Sequence, residues 1–389
     1  MDSTVARLRE RLPAAAETLA ARSLATERLG RLPDETVGLL VDLGVTRLVM
    51  PRRWGGLELG FAAVVDVVRA LAQACMSAAW CAALYAEHPW VLARFEEQAQ
   101  ADVWSGGPDV PLSMSVAASG RATRVDGGHE LSGSWPFVSG CDQAPWFLLL
   151  ASWGAADGSG ARSGLCLVPR SDVSIDHASW QVAGLRGTGS KTLSVDRAFV
   201  PSHRVRDAEL LAAGPDAPGA SPLFCQPLGG TLGLVLAAVA VGGAEGALVH
   251  FRHRLTQRVL RFHDRVQAFD PAAQIDLAEA TLKTESARLL LEDACEVVRA
   301  AGERAAELSV LEVAELRARK AHVVRECAQA VDRLFAASGG GALQETNPLQ
   351  RFWRDVHAIQ AHAGMNWSAH VQNYGSLAVG LGPTVRRPW

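Results

Sequence analysis

A chain of 389 residues with 49% hydrophobic and 20% charged residues is long enough for two or three packed domains and too apolar to be disordered. Its net charge of -3, with no basic run, excludes a nucleic-acid footprint. Seven cysteines without CxxC spacing give no zinc or redox-pair pattern and fit reduced thiols. The charged, amphipathic start MDSTVARLRERL lacks the apolar core of a signal peptide, which points to the cytoplasm.

Residues 1–107 read as a helical domain. Ala6 to Ala21 is rich in strong helix formers. Asp34-Glu35 opens a second helix, with Leu39, Leu40 and Leu43 on one face and Gly44 as its stop. Pro51 to Gly56 is a turn, and Phe61 to Ala74 is apolar at helical spacing. A very apolar helix begins near Ser77. His88-Pro89 reads as its break, because proline biases the preceding residue towards extended geometry.

The pattern changes at Gly106-Gly107-Pro108. Residues 108–212 alternate with period two and carry frequent turn signals, as in a small β-barrel or sandwich. Asp126-Gly127-Gly128 is a hairpin signal, Phe147 to Ala151 a short buried strand, and Lys191 to Val195 another strand. Residues 213–389 read as a helical bundle after a Gly/Pro/Ala loop at 214–222. Leu228 to Ala244 is slightly short for a membrane span and rich in Gly, so it reads as a buried helix. Val324, Cys327, Ala328, Val331, Leu334 and Phe335 follow one helix face. Glu279 and Lys283 form an i, i+4 pair, and the charged stretch Glu303 to Lys320 reads as a solvated face. Eleven tryptophans against two tyrosines, several beside turn signals, suggest pocket walls, with plain core as the alternative.

Three segments carry a resemblance: GSWPFVSG at 133–140, GLRGTGSKTLSVDRAFVP at 184–201 and NPLQRFWRDVHAIQAH at 347–362. Together with the order helices, strands, helices, the chain resembles the acyl-CoA dehydrogenase superfamily over nearly its whole length. That resemblance implies an α+β architecture: an N-terminal helical domain, a middle β domain and a C-terminal four-helix bundle, as a homotetramer. The dehydrogenases use a carboxylate base after the Arg-Asp helix. Here that region reads His362-Ala363-Gly364-Met365-Asn366-Trp367, and no Asp or Glu follows Asp355. The segment is similar to the oxygenase branch, the two-component flavin-dependent monooxygenases, and most to its aromatic and polyketide hydroxylases.

The resemblance implies reduced FMN supplied by a separate NAD(P)H-dependent reductase, with FAD as the alternative. Oxygen adds at C4a, and the hydroperoxide must be kept dry and protonated while it hydroxylates an aromatic or polycyclic substrate. It puts Ser139 beside flavin N5 and makes His362 the acid/base group, since imidazole titrates in the useful range. His357, about 140° away around the helix, is the rival. His88 resembles an active-site histidine of relatives. Trp135, Phe137 and Trp146 are candidate walls. Arg186, Thr188 and Ser190 are candidate flavin contacts in a loop whose spacing excludes a P-loop. Arg258, Arg261 and Arg265 are candidates for the flavin phosphate, in the segment matching the family's inter-subunit contact. Gly339 to Gly341 is either a close-approach site for a neighbouring chain or a C-cap. An N-oxygenase acting on amines or amino sugars, an acyl-CoA dehydrogenase or oxidase with FAD, and an inactive bundle protein remain the other readings.

Overall fold

A computed structural model describes residues 3–154, 161–213, 221–260 and 264–385. Arg261 and most of the 214–222 loop lie outside the described residues. The first layer holds α1 (Ser3–Leu29), α2 (Asp34–Asp42), α3 (Phe61–Ala72), α4 (Met76–Leu92) and α5 (Glu97–Trp104). Gly44 stops the second helix with a left-handed φ of 78°.

The expected break at His88 does not occur. α4 runs through Pro89, so His88 sits inside a helix rather than at its end. Pro89 lacks an N–H and weakens the local ladder. Almost every residue of α4 is buried, and this packing overrides the local bias.

The middle layer contains β1 (Leu112–Val125), β2 (Gly128–Val138), β3 (Trp146–Gly154), β4 (Ala161–Pro169), β5 (Ser174–Asp176), β6 (Lys191–Pro201) and β7 (Val205–Asp207). They form one seven-stranded sheet in the order β5-β6-β2-β1-β3-β4-β7. The predicted hairpin joins β1 to β2, with Val125 opposite Gly128. β1 and β3 pair in parallel; the other ladders are antiparallel. In β3, Phe147, Leu149 and Ala151 enter a core made within the sheet, whereas Leu148 and Leu150 enter the helical core. Both faces are covered, which explains the unbroken apolar run. Leu131, Trp135, Cys166 and Leu193 share the first core, so the sheet wraps around it.

The third layer holds α6 (Ala208–Ala213), α7 (Leu228–Thr231), α8 (Leu234–Gln257), a small hairpin of β8 (Val259–Leu260) and β9 (Arg265–Val266), then α9 (Pro271–Glu303), α10 (Val310–Ala337), α11 (Pro348–Gln360) and α12 (Trp367–Ala378). The apolar 228–244 run is a buried core helix, interrupted at Gly233, whose φ is 87°. At Gly242 a Cβ would collide with the Arg69 carbonyl and Ala72 of α3, so glycine sets that helix–helix distance.

Two charge assignments change. Lys283 pairs across to Glu326 of α10 (2.8 Å) instead of with Glu279, which meets Arg333. The 303–320 stretch is not wholly solvated: Arg317 and Lys320 are buried. Long side chains on α10 point back over the bundle, where backbone carbonyls are waiting.

Candidate active site

α4 supplies one wall. Trp80, Cys81, Tyr85 and His88 span about 140° of the helix and face the β layer. Tyr85 donates its hydroxyl to the Gly140 carbonyl (2.8 Å), and Ser113 of β1 donates to the Ser139 carbonyl (2.8 Å). The Gly140 N–H reaches Thr188 O at 2.9 Å. The 139–140 turn is thus held from three sides. At Gly140, with φ 66°, a Cβ would lie 2.5 Å from the Tyr85 hydroxyl oxygen.

A hydroxyl chain runs through this turn. Thr188 Oγ1 lies 2.9 Å from Leu185 O, and a carbonyl has no proton, so Thr188 is the donor. Ser190 Oγ, at 2.6 Å, must then donate to Thr188. Ser139 Oγ, 2.7 Å from Ser190, must donate to Ser190. Trp80 Nε1 donates to Ser139 Oγ at 3.0 Å. Ser139 therefore faces its surroundings with a lone pair and no proton to give. The turn that ends this chain is anchored on α11: buried Asp355 accepts the Leu185 N–H at 2.6 Å.

His362 lies just past α11, with its ring edge-on to Trp80 (centroids 5.5 Å, planes at 67°). Its Nδ1 accepts the Gly364 N–H at 3.1 Å, so the neutral ring carries its proton on Nε2. The ring is exposed by area, yet protein crowds it, and that crowding lowers its pKa below 6.5. His88 is the opposite tautomer. Its Nδ1 meets the Leu112 carbonyl at 2.6 Å and must be the protonated nitrogen, leaving a lone pair on Nε2. Burial pulls its pKa down to about 4, so it is neutral at physiological pH. The two imidazoles thus differ in kind, one with a donor at Nε2 and one with an acceptor.

Ser139, Thr188 and Ser190 are joined in one chain, and Trp80 links that chain to His362. His357 is separate: its Nδ1 meets Trp353 O (2.7 Å) and its Nε2 faces Asp332 (3.3 Å). Phe137 is 71% exposed at φ 61° and stands edge-on to Trp180. Arg186 is exposed, and its carbonyl accepts Trp180 Nε1 (2.8 Å). Trp146 packs under Arg204, 4.9 Å from its guanidinium carbon.

Trp135 requires a correction. Its ring is fully buried in the sheet's own core, and its Nε1 donates to Leu150 O (2.8 Å). On a strand, Trp135 and Phe137 share one face, but the left-handed φ at Phe137 breaks the alternation there. Replacing Trp135 with alanine is expected to cost about 3–5 kcal/mol of stability, judged by denaturant melts. Flavin affinity of the folded fraction should stay within about twofold. A loss of affinity at unchanged stability would return Trp135 to the cofactor wall.

A second feature is a cleft of about 430 Å³ lined by His250, His253, Arg254, Arg258 and Asn347 among others. Arg254 and Arg258 both donate to Ser338 O, at 2.6 and 2.7 Å. Gly339 and Gly341 leave room for these guanidiniums, since a Cβ would lie 2.6 Å from Arg258 Nη2 and 3.1 Å from Arg254 Nη2. Among the described residues that line the cleft there is no carboxylate, so its chemistry suits an anion. Arg265 lies apart, over the Phe269 ring.

Trp80 and Tyr85 were not singled out from the sequence. Their signal was spacing on an apolar helix, which core packing produces equally well. The fold and these turns define an acyl-CoA dehydrogenase-type flavoprotein. Residues 7–105 match the acyl-CoA dehydrogenase N-terminal domain and residues 234–367 the C-terminal domain.

The chain belongs to the acyl-CoA dehydrogenase family and, within it, groups with the oxygenase components of flavin-dependent monooxygenases. It is 36% identical to the flavin-dependent monooxygenase oxygenase subunit HsaA of Rhodococcus jostii, over 96% of this chain and 98% of that one. It is also 36% identical to the FADH2-dependent resorcinol hydroxylase oxygenase component of a Rhizobium species, covering 97% and 95%. The solved structure of XiaF from Streptomyces, in complex with FADH2 and glycerol, aligns with a TM-score of 0.92 at 29% identity, covering 98% and 97%.

Proposed function

We propose that this chain is the oxygenase component of a two-component monooxygenase that hydroxylates an aromatic, phenol-like substrate. A reduced flavin, delivered by a separate reductase, would supply the oxygen activation. The relatives named for resorcinol and for FADH2 support this reading. The observation that carries it is the pairing of a proton-poor Ser139 with a proton-bearing His362 across Trp80.

The residues present fit a flavin. Ser139 Oγ offers an acceptor suited to a ring N–H, and exposed Phe137 with Trp180 forms an apolar edge for a flat ring. Trp80, Tyr85 and the buried 139–140 turn exclude water from that side. His362 holds a proton on Nε2 for transfer to an oxygen, and His88 Nε2 can take the hydrogen of a phenol. A dehydrogenase reading needs a free carboxylate base. Buried Asp355 and Glu87 are each engaged by a backbone N–H, from Leu185 and Gly233.

We assign the flavin phosphate to Arg254 and Arg258 in the anion cleft. The cleft and His362 lie at opposite ends of α11, about 20 Å apart along its axis. That separation, with the family resemblance, favours service to a neighbouring subunit's flavin. Ile275, Leu282 and Leu289, seven apart on α9 and all more than half exposed, support a covered helix face and hence the homotetramer. Seven unpaired cysteines, six of them buried, favour the cytoplasm.

The test is to supply the protein with photoreduced FAD or FMN, oxygen, and resorcinol or p-hydroxyphenylacetate. A hydroxylated product, identified by mass spectrometry, is expected with at least one phenol. The relatives' names favour FAD in the comparison. Amines as the only substrates would select the N-oxygenase reading. Reduction of added FAD by acyl-CoA thioesters would select the dehydrogenase.

A further inference from the structure

The buried ionisable groups Glu87 and Lys320 lie outside the site described above. They grip one short stretch of backbone, the break between α7 and α8. Lys320 Nζ donates to Gly230 O (2.9 Å) and Leu232 O (2.6 Å). Glu87 Oε1 accepts the Gly233 N–H (3.0 Å) at the start of α8. Arg317 Nε approaches Gly229 O at 3.5 Å. An amine donor thus sits at the carbonyl end of one helix and a carboxyl acceptor at the N–H end of the next; burial pulls the Lys320 pKa down to about 7 and pushes the Glu87 pKa up to about 7.

Both ionisable groups are at most 3% exposed. A helix break buried in so apolar a region must have its polar groups satisfied, and two neutral side chains would have been enough. Two ionisable groups, each costly to bury in its charged form, are more than the break needs merely to exist.

The break touches both histidine-bearing elements. His88 follows Glu87 directly on α4. On the other side, a Cβ on Gly233 would lie 3.1 Å from Met365 Cε. Met365 closes the single turn that His362 opens, through its N–H to His362 O at 2.8 Å.

We propose that Glu87 and Lys320 are positioning residues, a hydrogen-bond clamp on the Gly230–Gly233 break that fixes the setting of His362 relative to His88. The proposal rests on the monooxygenase reading for its significance, but its test does not need turnover. Loosening the clamp frees Met365 and relieves the crowding around His362. That crowding is what depresses the His362 pKa, so relief moves it upward.

The experiment is labelling of the full-length protein by diethyl pyrocarbonate across pH, with each histidine followed by peptide mass spectrometry. The reagent attacks neutral imidazole, so the rate profile reports the pKa. In Lys320→Met the His362 midpoint should rise towards 6.5. His129, packed on Trp153 in the β layer, should keep its labelling profile. If Lys320→Met alone fails to fold, Glu87→Gln/Lys320→Met buries no lone charge and carries the same test. An unchanged His362 profile in these folded variants overturns the proposal. A wild-type protein that hydroxylates nothing would instead count against the monooxygenase reading and leave the labelling result standing.

Discussion

Replacing His362 with alanine is expected to lower hydroxylation by about 10²–10⁴-fold, the usual range for a positioned acid/base group. Reduced flavin should still bind, because the Ser139–Ser190–Thr188 chain and the Arg254–Arg258 cleft do not use this ring. Oxygen consumption should therefore continue and appear as released hydrogen peroxide. His362→Gln, whose amide can still donate, should recover part of the coupling. The pH dependence has a definite sign. The pKa lies below 6.5, so the ring is neutral at pH 7 with its proton on Nε2. Acidification through that depressed pKa puts a second proton on Nδ1 and breaks the Gly364 contact. Coupling should fall on the acid side, below pH 6.5, and the alanine variant should lose that dependence. Equal peroxide release by wild type and variant, with a phenol present, would remove His362 from proton transfer.

The clustering of several candidate residues was legible in the sequence, for an identifiable reason. Ser139, Thr188, Ser190 and His362 lie in turn motifs, where backbone geometry restricts the residues and the pattern survives as text. The helices were less transparent. Trp80 and Tyr85 sit in a run so apolar that every face of α4 is buried, and periodicity carries no information there. His88 was assigned to a helix end because Pro89 follows it, but local propensity lost to tertiary packing. Trp135 was read as a wall because it sits in a turn-rich motif, and the strand register turned it inward. Lys320 was hidden in a charged stretch, where only the three-dimensional approach of the α7 carbonyls distinguishes it from its solvated neighbours.

Asp355 should separate packing from chemistry. Its carboxylate accepts the Leu185 N–H, and Leu185 holds a left-handed φ of 53°, a strained geometry for a branched side chain. Leucine at 355 would leave that buried N–H without an acceptor, at about 1–3 kcal/mol before the strain is counted. Asparagine keeps an oxygen in place and should hold the turn. Burial raises the Asp355 pKa from 3.8 to about 6. A carboxyl raised in the folded state favours its protonated form. Its contribution is therefore fully present below about pH 4 and lost as pH rises through about 6. Thermal melts should show this decline in wild type between those values, and Asp355→Asn should flatten it. The chemistry should follow the turn rather than the charge. Asp355→Leu releases the 185–190 segment, so Thr188 loses its fixed acceptor and the chain to Ser139 loses its direction. Peroxide release should rise in the leucine variant and stay near wild type in the asparagine one. If both leak equally, the negative charge itself matters, and Asp355 acts on the site through its field rather than through Leu185.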